Sequence, residues 1–445
     1  MALHYAYAKA LTTVLSTPLE PEKPLRFFPK KLSKFIAFTL LSGLCIAANA
    51  QTKLKVFVGA QQRPEVMRDV FARYMAQHPN VVVEQETGGA TSELQSRYLN
   101  MMLSASDSHL DIFLIDIVRP AQYAAAGWLE PLDNYLGAER NAVIDSYLPG
   151  YRLSNVINGK LVALPGFADA QFLYYRKDLL SKYQIEPPKT WDELELAASK
   201  ILASERNPKL QGLSFQGKAV ESAVCTFLMP YWSQGGNLDK GGKMVLDKPK
   251  VEAGLEMWLN LVHKGVVKKN IAEVATDDTR KEFQAGNVLF AVNFGYAWNH
   301  FQTAADSRVR DLVGVVPVPA MKNGVSASCM GGWQWGVSAY SKNKVEAVKL
   351  IRWLSSPEVS KMLALRASNL PVFAKVYQDP EVLAVNPFFA AALPAVLGAR
   401  PRPVTSEYRA VSDALRINTS AVLAGAKTVP AAIADIEARF LRVNN

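Results

Sequence analysis

The sequence predicts an α/β protein whose parallel strands are covered by helices on both faces. Between Leu54 and Asp116, runs of strand length alternate with runs of helical periodicity in the order strand, helix, strand, helix, strand. The 445 residues suffice for two lobes of ordinary domain size. A third observation is the stretch Leu164–Leu194, which holds a loop, a strand, a short helix, a Pro-Pro break and a capped helix in one run.

Each element has a local reason. Leu54-Lys-Val-Phe-Val58 alternates as a strand does, and Gly59–Arg63 follows as a loop. Pro64 opens a helix with an apolar stripe of Val66, Met67, Val70, Phe71, Tyr74 and Met75, stopped at His78-Pro79-Asn80. Val81–Gln85 is a second strand, and a Gly-rich loop leads to a helix over 93–103. Asp111–Ile115 is a third, buried strand ending in Asp116. Ligands of such sheets bind beyond the carboxyl ends of the strands. The loops 59–63, 88–91 and 116–119 are therefore expected to face one crevice.

Phe172-Leu-Tyr-Tyr175 reads as a buried strand, with Leu179, Leu180 and Tyr183 at helical spacing after it. Pro187-Pro188 forbids helix, because neither has an N–H and each restricts its predecessor. Thr190 and Glu193 form a capping box that starts a helix to about Leu202. Helices are expected over 219–232, 251–264 and 345–354, with strands at 288–293, 313–318 and 332–338. Ser356 caps a helix that Pro357 starts, and 431–441 is helical.

The letters LYYRKDLL and PPKTWDEL carry more than this grammar. They resemble extracellular solute-binding protein family 1, the sugar receptors of ABC importers, and within it the trehalose/maltose-binding group, over roughly residues 54–440. The resemblance implies a type II periplasmic-binding-protein fold of two lobes, each a sheet covered by helices, with crossovers between them. Lobe one is expected over 51–157 and 299–354, and lobe two over 158–298 and 355–445. It implies a monomeric receptor that captures an α-linked disaccharide, of maltose or trehalose type, and docks on permease subunits at the inner membrane. Other ligands on the same fold stay open, among them a polyol, a monosaccharide or an oligosaccharide. A secreted glycosidase is the rival from another class.

Lys30, Lys31 and Lys34 precede the apolar run Phe35–Ile46, and Ala48-Asn49-Ala50 closes it, the pattern of a secretory signal peptide cleaved after Ala50. Residues 1–29 form a long lead, which reads as a start site placed too far upstream. Cys45 follows Leu44, where a lipoprotein signal wants Gly or Ala, so a soluble periplasmic protein is favoured over a lipid-anchored one. Without residues 1–50 the chain keeps 44 basic and 38 acidic residues, a net +6 in place of +10. That mild charge, without a basic stripe, argues against nucleic acid. Cys225 and Cys329 remain, both among small or apolar neighbours, and are expected as buried thiols rather than a bridge.

Sugars present apolar C–H faces and a rim of hydroxyls, so a site needs flat aromatic rings with planar donors and acceptors. Asp116 ends a buried strand, where the resemblance implies contact with sugar hydroxyls; capping the next helix is its plainer use. Asp169 matches a second such contact, with Phe167 and Phe172 beside it as core. Tyr296, Trp298 and above all Trp333 match stacking positions, and Gly332 before Trp333 lets the backbone come close to a ligand. Arg402 matches a late arginine donor, with Arg400 as the alternative. Trp232 walls the cleft, and Gln61, Thr91 and Gln95 follow from their place on or beside the loops. Arg119 stands where the family often has Trp. The five histidines show no metal-ligand spacing and no nucleophile or phosphate-loop motif is present, so no metal, cofactor or catalysis is expected.

Overall fold

The computed structural model describes residues 51–445. The expected signal peptide, its cleavage site and Cys45 lie outside the described residues. Twelve strands occur among them, eight of them in one sheet. β1 (Thr52–Gly59) pairs in parallel with β2 (Val81–Gly88) and β3 (Ile112–Asp116). A hairpin of β4 (Val156–Ile157) and β5 (Lys160–Leu161) leads to the long β6 (Leu164–Arg176). β7 (Gln211–Ser214) is followed by a small hairpin of β8 (Asp239–Lys240) and β9 (Lys243–Met244). β10 (Val288–Phe294), β11 (Val313–Pro317) and β12 (Met330–Val337) complete the set.

The sheet runs β2-β1-β3-β12-β6-β10-β7, with β11 also on β6. β6 organises it. Residues 164–170 of this strand pair with β12, which in turn pairs with β3. Residues 171–176 lie between β10 and β11 instead. One continuous strand therefore belongs to two sets of partners and changes hands between Ala170 and Gln171. The expected crossover near 155–165 is thus displaced into the strand itself.

Two expected assignments are corrected by packing. β11 was expected with the first set, yet it pairs antiparallel with Phe172–Arg176, beside β10. The helix Pro357–Ala367, expected in lobe two, buries Val359, Leu363 and Ala367 in the cluster under β1 and β3. Its alternation of apolar residues faces a sheet that the preceding helix Lys344–Leu354 already covers, so it continues that layer.

The cores follow from the periodicities. The helix Pro64–Gln77 buries Val66, Met67, Val70, Phe71 and Tyr74 against Leu54, Val56 and Val58. Each such side chain contributes about 1.5–3 kcal/mol on burial. Under the other set, Trp191 and Trp258 meet edge to face at 4.8 Å beside Leu173, Leu213 and Val292. The helix Glu221–Ser233 is buried along its whole length, covered by the helices Lys248–His263 and Tyr408–Leu423. The caps are local. Thr190 Oγ1 accepts from Glu193 N at 3.2 Å, while Glu193 reaches Lys189 N at 2.7 Å, one residue beyond a true capping box. Ser356 Oγ accepts from Val359 N at 3.3 Å, as expected. Cys225 and Cys329 are buried free thiols. No helix among the described residues is long and apolar enough to cross a membrane.

Candidate ligand-binding site

A cavity of about 120 Å³ opens where β6 changes partners. The loops beyond β1 and β2 supply Gln61 and Thr91, and the last residue of β3 is Asp116; β6 supplies Phe167 and Asp169; β12 supplies Gly331, Gly332 and Trp333. Tyr296, Glu221 and Arg402 close it from the other side. The parallel strands thus deliver their carboxyl ends to one hollow, as the sheet rule requires.

The backbone around Trp333 explains the two glycines before it. Gly332 has φ +127°, and a Cβ there would stand 2.5 Å from the Phe167 carbonyl oxygen. A Cβ on Gly331 would meet the Asp169 side chain at 3.0 Å. Only glycine lets β12 lie this close to β6. The register slips between Trp333 and Gln334, and Trp333 stands across from Asp116 on one side and Phe167 on the other. Tyr151 locks this arrangement from behind: its hydroxyl donates to Gly331 O at 2.6 Å and accepts from Asp169 N at 3.1 Å.

The two aspartates sit in different electrostatic settings. Asp116 accepts from Ser92 Oγ at 2.9 Å and from Arg402 Nη2 at 3.3 Å. Arg402, 7% exposed, also donates to Glu221 Oε1 at 2.7 Å. Glu221 in turn takes the Tyr408 hydroxyl and, at 2.7 Å, Ser412 Oγ. Asp169 has no such cation in contact. Its Oδ1 accepts from the Ala170 and Gly295 amides at 2.9 and 3.0 Å. Burial pushes its pKa from 3.8 up to about 7, with the Asp116 charge adding to the rise and the two amides opposing it. Burial likewise pushes the Tyr296 hydroxyl up.

The bacterial extracellular solute-binding proteins match residues 60–361. The chain belongs to this family. A probable ABC transporter-binding protein of Deinococcus radiodurans is 35% identical to it, over 79% of this chain and 84% of the relative. A maltotriose-binding protein of Pyrococcus abyssi is 27% identical, over 74% of this chain and 68% of the relative. Among solved structures, maltose-bound T. maritima MalE3 superposes with a TM-score of 0.83 at 32% identity, covering 88% of this chain and all of that one. The fold is the two-lobe type II fold of the maltose-binding proteins.

Of the eleven positions singled out in this solute-binding protein's sequence, Asp116, Asp169, Tyr296, Trp333, Arg402, Gln61, Thr91 and Gly332 border the cavity. Trp298, Trp232 and Gln95 do not. Trp298 lies in the helix Ala297–Thr303 and packs on Phe388 at 4.9 Å. Two residues turn a helix by about 200°, so Trp298 and Tyr296 cannot both face the hollow. Trp232 is 3% exposed on the fully buried helix, its ring covered by the Arg400 guanidinium at 5.1 Å. That contact also decides between the arginines, since Arg402 and not Arg400 borders the cavity. Phe167, expected as core, serves core and cavity both. Arg119 is withdrawn: buried, it donates to Gln122 Oε1 at 3.2 Å and lies 5.8 Å over the Tyr408 ring. Gln95 packs over Gly59 and donates to Gly89 O at 3.0 Å. Sequence reasoning missed Tyr151, Glu93 and Glu221. Glu93 stands two places after Thr91 and reads as ordinary first-turn acid; Glu221 carries no signal beyond a helix start.

Proposed function

We propose that this protein is the periplasmic receptor of an ABC importer, capturing an α-linked disaccharide of maltose or trehalose type and passing it to membrane permease subunits. The observation that carries the reading is the convergence of Trp333, Tyr296, Asp116, Asp169 and Arg402 on one cavity. An indole and a phenol supply the flat faces that sugar C–H surfaces need, and the carboxylates and guanidinium supply directional partners for hydroxyls. One lobe is built on β1–β3 and β12, the other on β7, β10 and β11, and β6 passes between them.

At about 120 Å³ the cavity is smaller than the roughly 300–1,000 Å³ usual for ligand sites. Ligand entry therefore requires the lobes to part, and contacts from both favour reclosure, because only differential affinity shifts such an equilibrium. The small volume also favours a second reading, a monosaccharide or polyol. Titration calorimetry with maltose, trehalose, maltotriose, glucose and mannitol tests both. Heat with a disaccharide supports the first, heat with glucose or mannitol alone supports the second, and no heat with any overturns the carbohydrate assignment.

A further inference from the structure

One contact between the lobes lies outside the cavity wall. Arg63 ends the loop after β1, in the first lobe, and its Nη1 donates to Asn299 Oδ1 at 2.7 Å. Asn299, 7% exposed, stands in the helix Ala297–Thr303, which follows β10. Phe301 anchors that helix in the second lobe, 5.1 Å from Tyr174 and 4.9 Å from Phe283. Neither Arg63 nor Asn299 borders the cavity. Arg402 also joins the lobes, reaching from Glu221 to Asp116, but it does so from within the wall.

The backbone of Arg63 is a second, independent sign. Its φ of 51° and ψ of 61° are left-handed, a region costly for a residue with a Cβ, and Pro64 after it narrows the choice further. Glycine takes this conformation freely, and the Arg63 side chain makes no cap to the helix that follows. Strain of this kind persists only where the surroundings impose it, and it collects at clamps and switches. The side chain shows what imposes it here: Nε is held by Glu65, and Nη1 by Asn299 of the facing lobe. His300 records the same approach of the lobes, since Arg63 is among the charges that lower its pKa, after burial and Arg280.

A bond made only when two lobes meet favours the closed form although it never touches the ligand, because any interaction that differs between the states shifts their equilibrium. Such a bond acts after the sugar has entered, so it governs escape rather than capture. We propose that Arg63 and Asn299 form a latch across the cleft that sets how long a bound sugar is held. This rests on the carbohydrate reading above and adds to it two residues, outside the binding wall, that fix the dissociation rate.

The test is stopped-flow tryptophan fluorescence on the whole mature chain, with whichever of maltose, trehalose, glucose and mannitol gives heat by calorimetry. Arg63→Gly removes the latch and relieves the left-handed strain together. Sugar dissociation is expected to quicken roughly tenfold, as a hydrogen bond to a charged group is lost, with the association rate kept within about threefold. The denaturation midpoint of the sugar-free variant should hold or rise; a fall would make Arg63 merely structural and overturn the inference. Asn299→Ala removes the acceptor from the other lobe and is expected to act alike, and the double variant should dissociate no faster than the faster single one. Dissociation from Arg63→Gly within about twofold of the parent overturns the inference and leaves the carbohydrate reading standing. Effects that multiply in the double variant overturn it too, since residues acting independently do not form a latch. Silence from every sugar overturns both.

Discussion

The buried acids of the cavity wall follow two electrostatic plans. Arg402 bridges Asp116 and Glu221, and Tyr408 and Ser412 complete that set, so nearly every charge in it has a partner from the chain itself. Asp169, by contrast, is held by backbone amides, and Glu93 by nothing well aligned. A buried pair that is broken is costly, whereas a buried acid that was never paired already bears its cost in the folded state. The paired acids should therefore report on stability, and the unpaired ones on ligand and pH.

The largest effect is expected in the paired set. Arg402→Ala strands Glu221 and Asp116 as uncompensated buried acids, and chemical denaturation should show a loss of about 3–5 kcal/mol. Its side chain is 5% exposed and that of Glu221 6%. A stability close to that of the parent chain would show that water or a proton replaces the guanidinium cheaply, and the contrast between paired and unpaired acids would dissolve.

The tryptophans sharpen the contrast next. Trp298→Ala empties a packed site against Phe388 and should cost about 3–5 kcal/mol of stability. Trp333 is only partly buried on the first core and borders the cavity. Trp333→Ala should remove most ligand affinity by calorimetry while moving the melting temperature little. If the melting temperatures fall equally, Trp333 is a core residue and the stacking role fails. Gly332→Ala lies between these cases. Its φ of +127° and the 2.5 Å approach to the Phe167 oxygen set backbone against backbone, so a loss of about 2–3 kcal/mol is expected from thermal melts. A neutral result would mean that β12 can draw away from β6.

How much of this was legible in the letters follows from which forces are local. β1, β3 and the helix Pro64–Gln77 were readable because periodicity and burial are encoded within a few residues. Asp116 and the two loops before it were readable because strand ends converge by a general rule. Asp169, Trp333 and Arg402 needed the family resemblance, since nothing in their neighbours fixes a cavity. The misreadings have the same root. β11 carries an apolar run that fits either set of partners, and only its pairing with β6 places it. Trp298 stands beside Tyr296 in sequence but around the helix from it in space. Tyr151 and Glu221 act through partners at sequence separations of 180 and 181, which no local pattern announces.

The smallest effect is the one that isolates an unpaired acid. Asp169 has a pKa raised from 3.8 to about 7, so its neutral form is favoured in the folded state. The stability this gives is fully present below about pH 4 and is lost as the pH rises through 7. A shift of this size sets a ceiling of about 4 kcal/mol, but the acid borders a cavity that admits water, so about 1–2 kcal/mol is expected. His300 works in the opposite sense: burial, then the Arg280 and Arg63 charges, pull its pKa from 6.5 to about 4, and its contribution is lost as the pH falls through that range. The whole protein therefore shows the difference of two opposed slopes. Asp169→Asn keeps an acceptor for the Gly295 and Ala170 amides and removes only the titration. The variant should gain stability relative to the parent between pH 4 and 7.5, read as diverging denaturation midpoints. Parallel midpoints would place the ionised form of Asp169 in a better solvated setting than its two amide bonds describe.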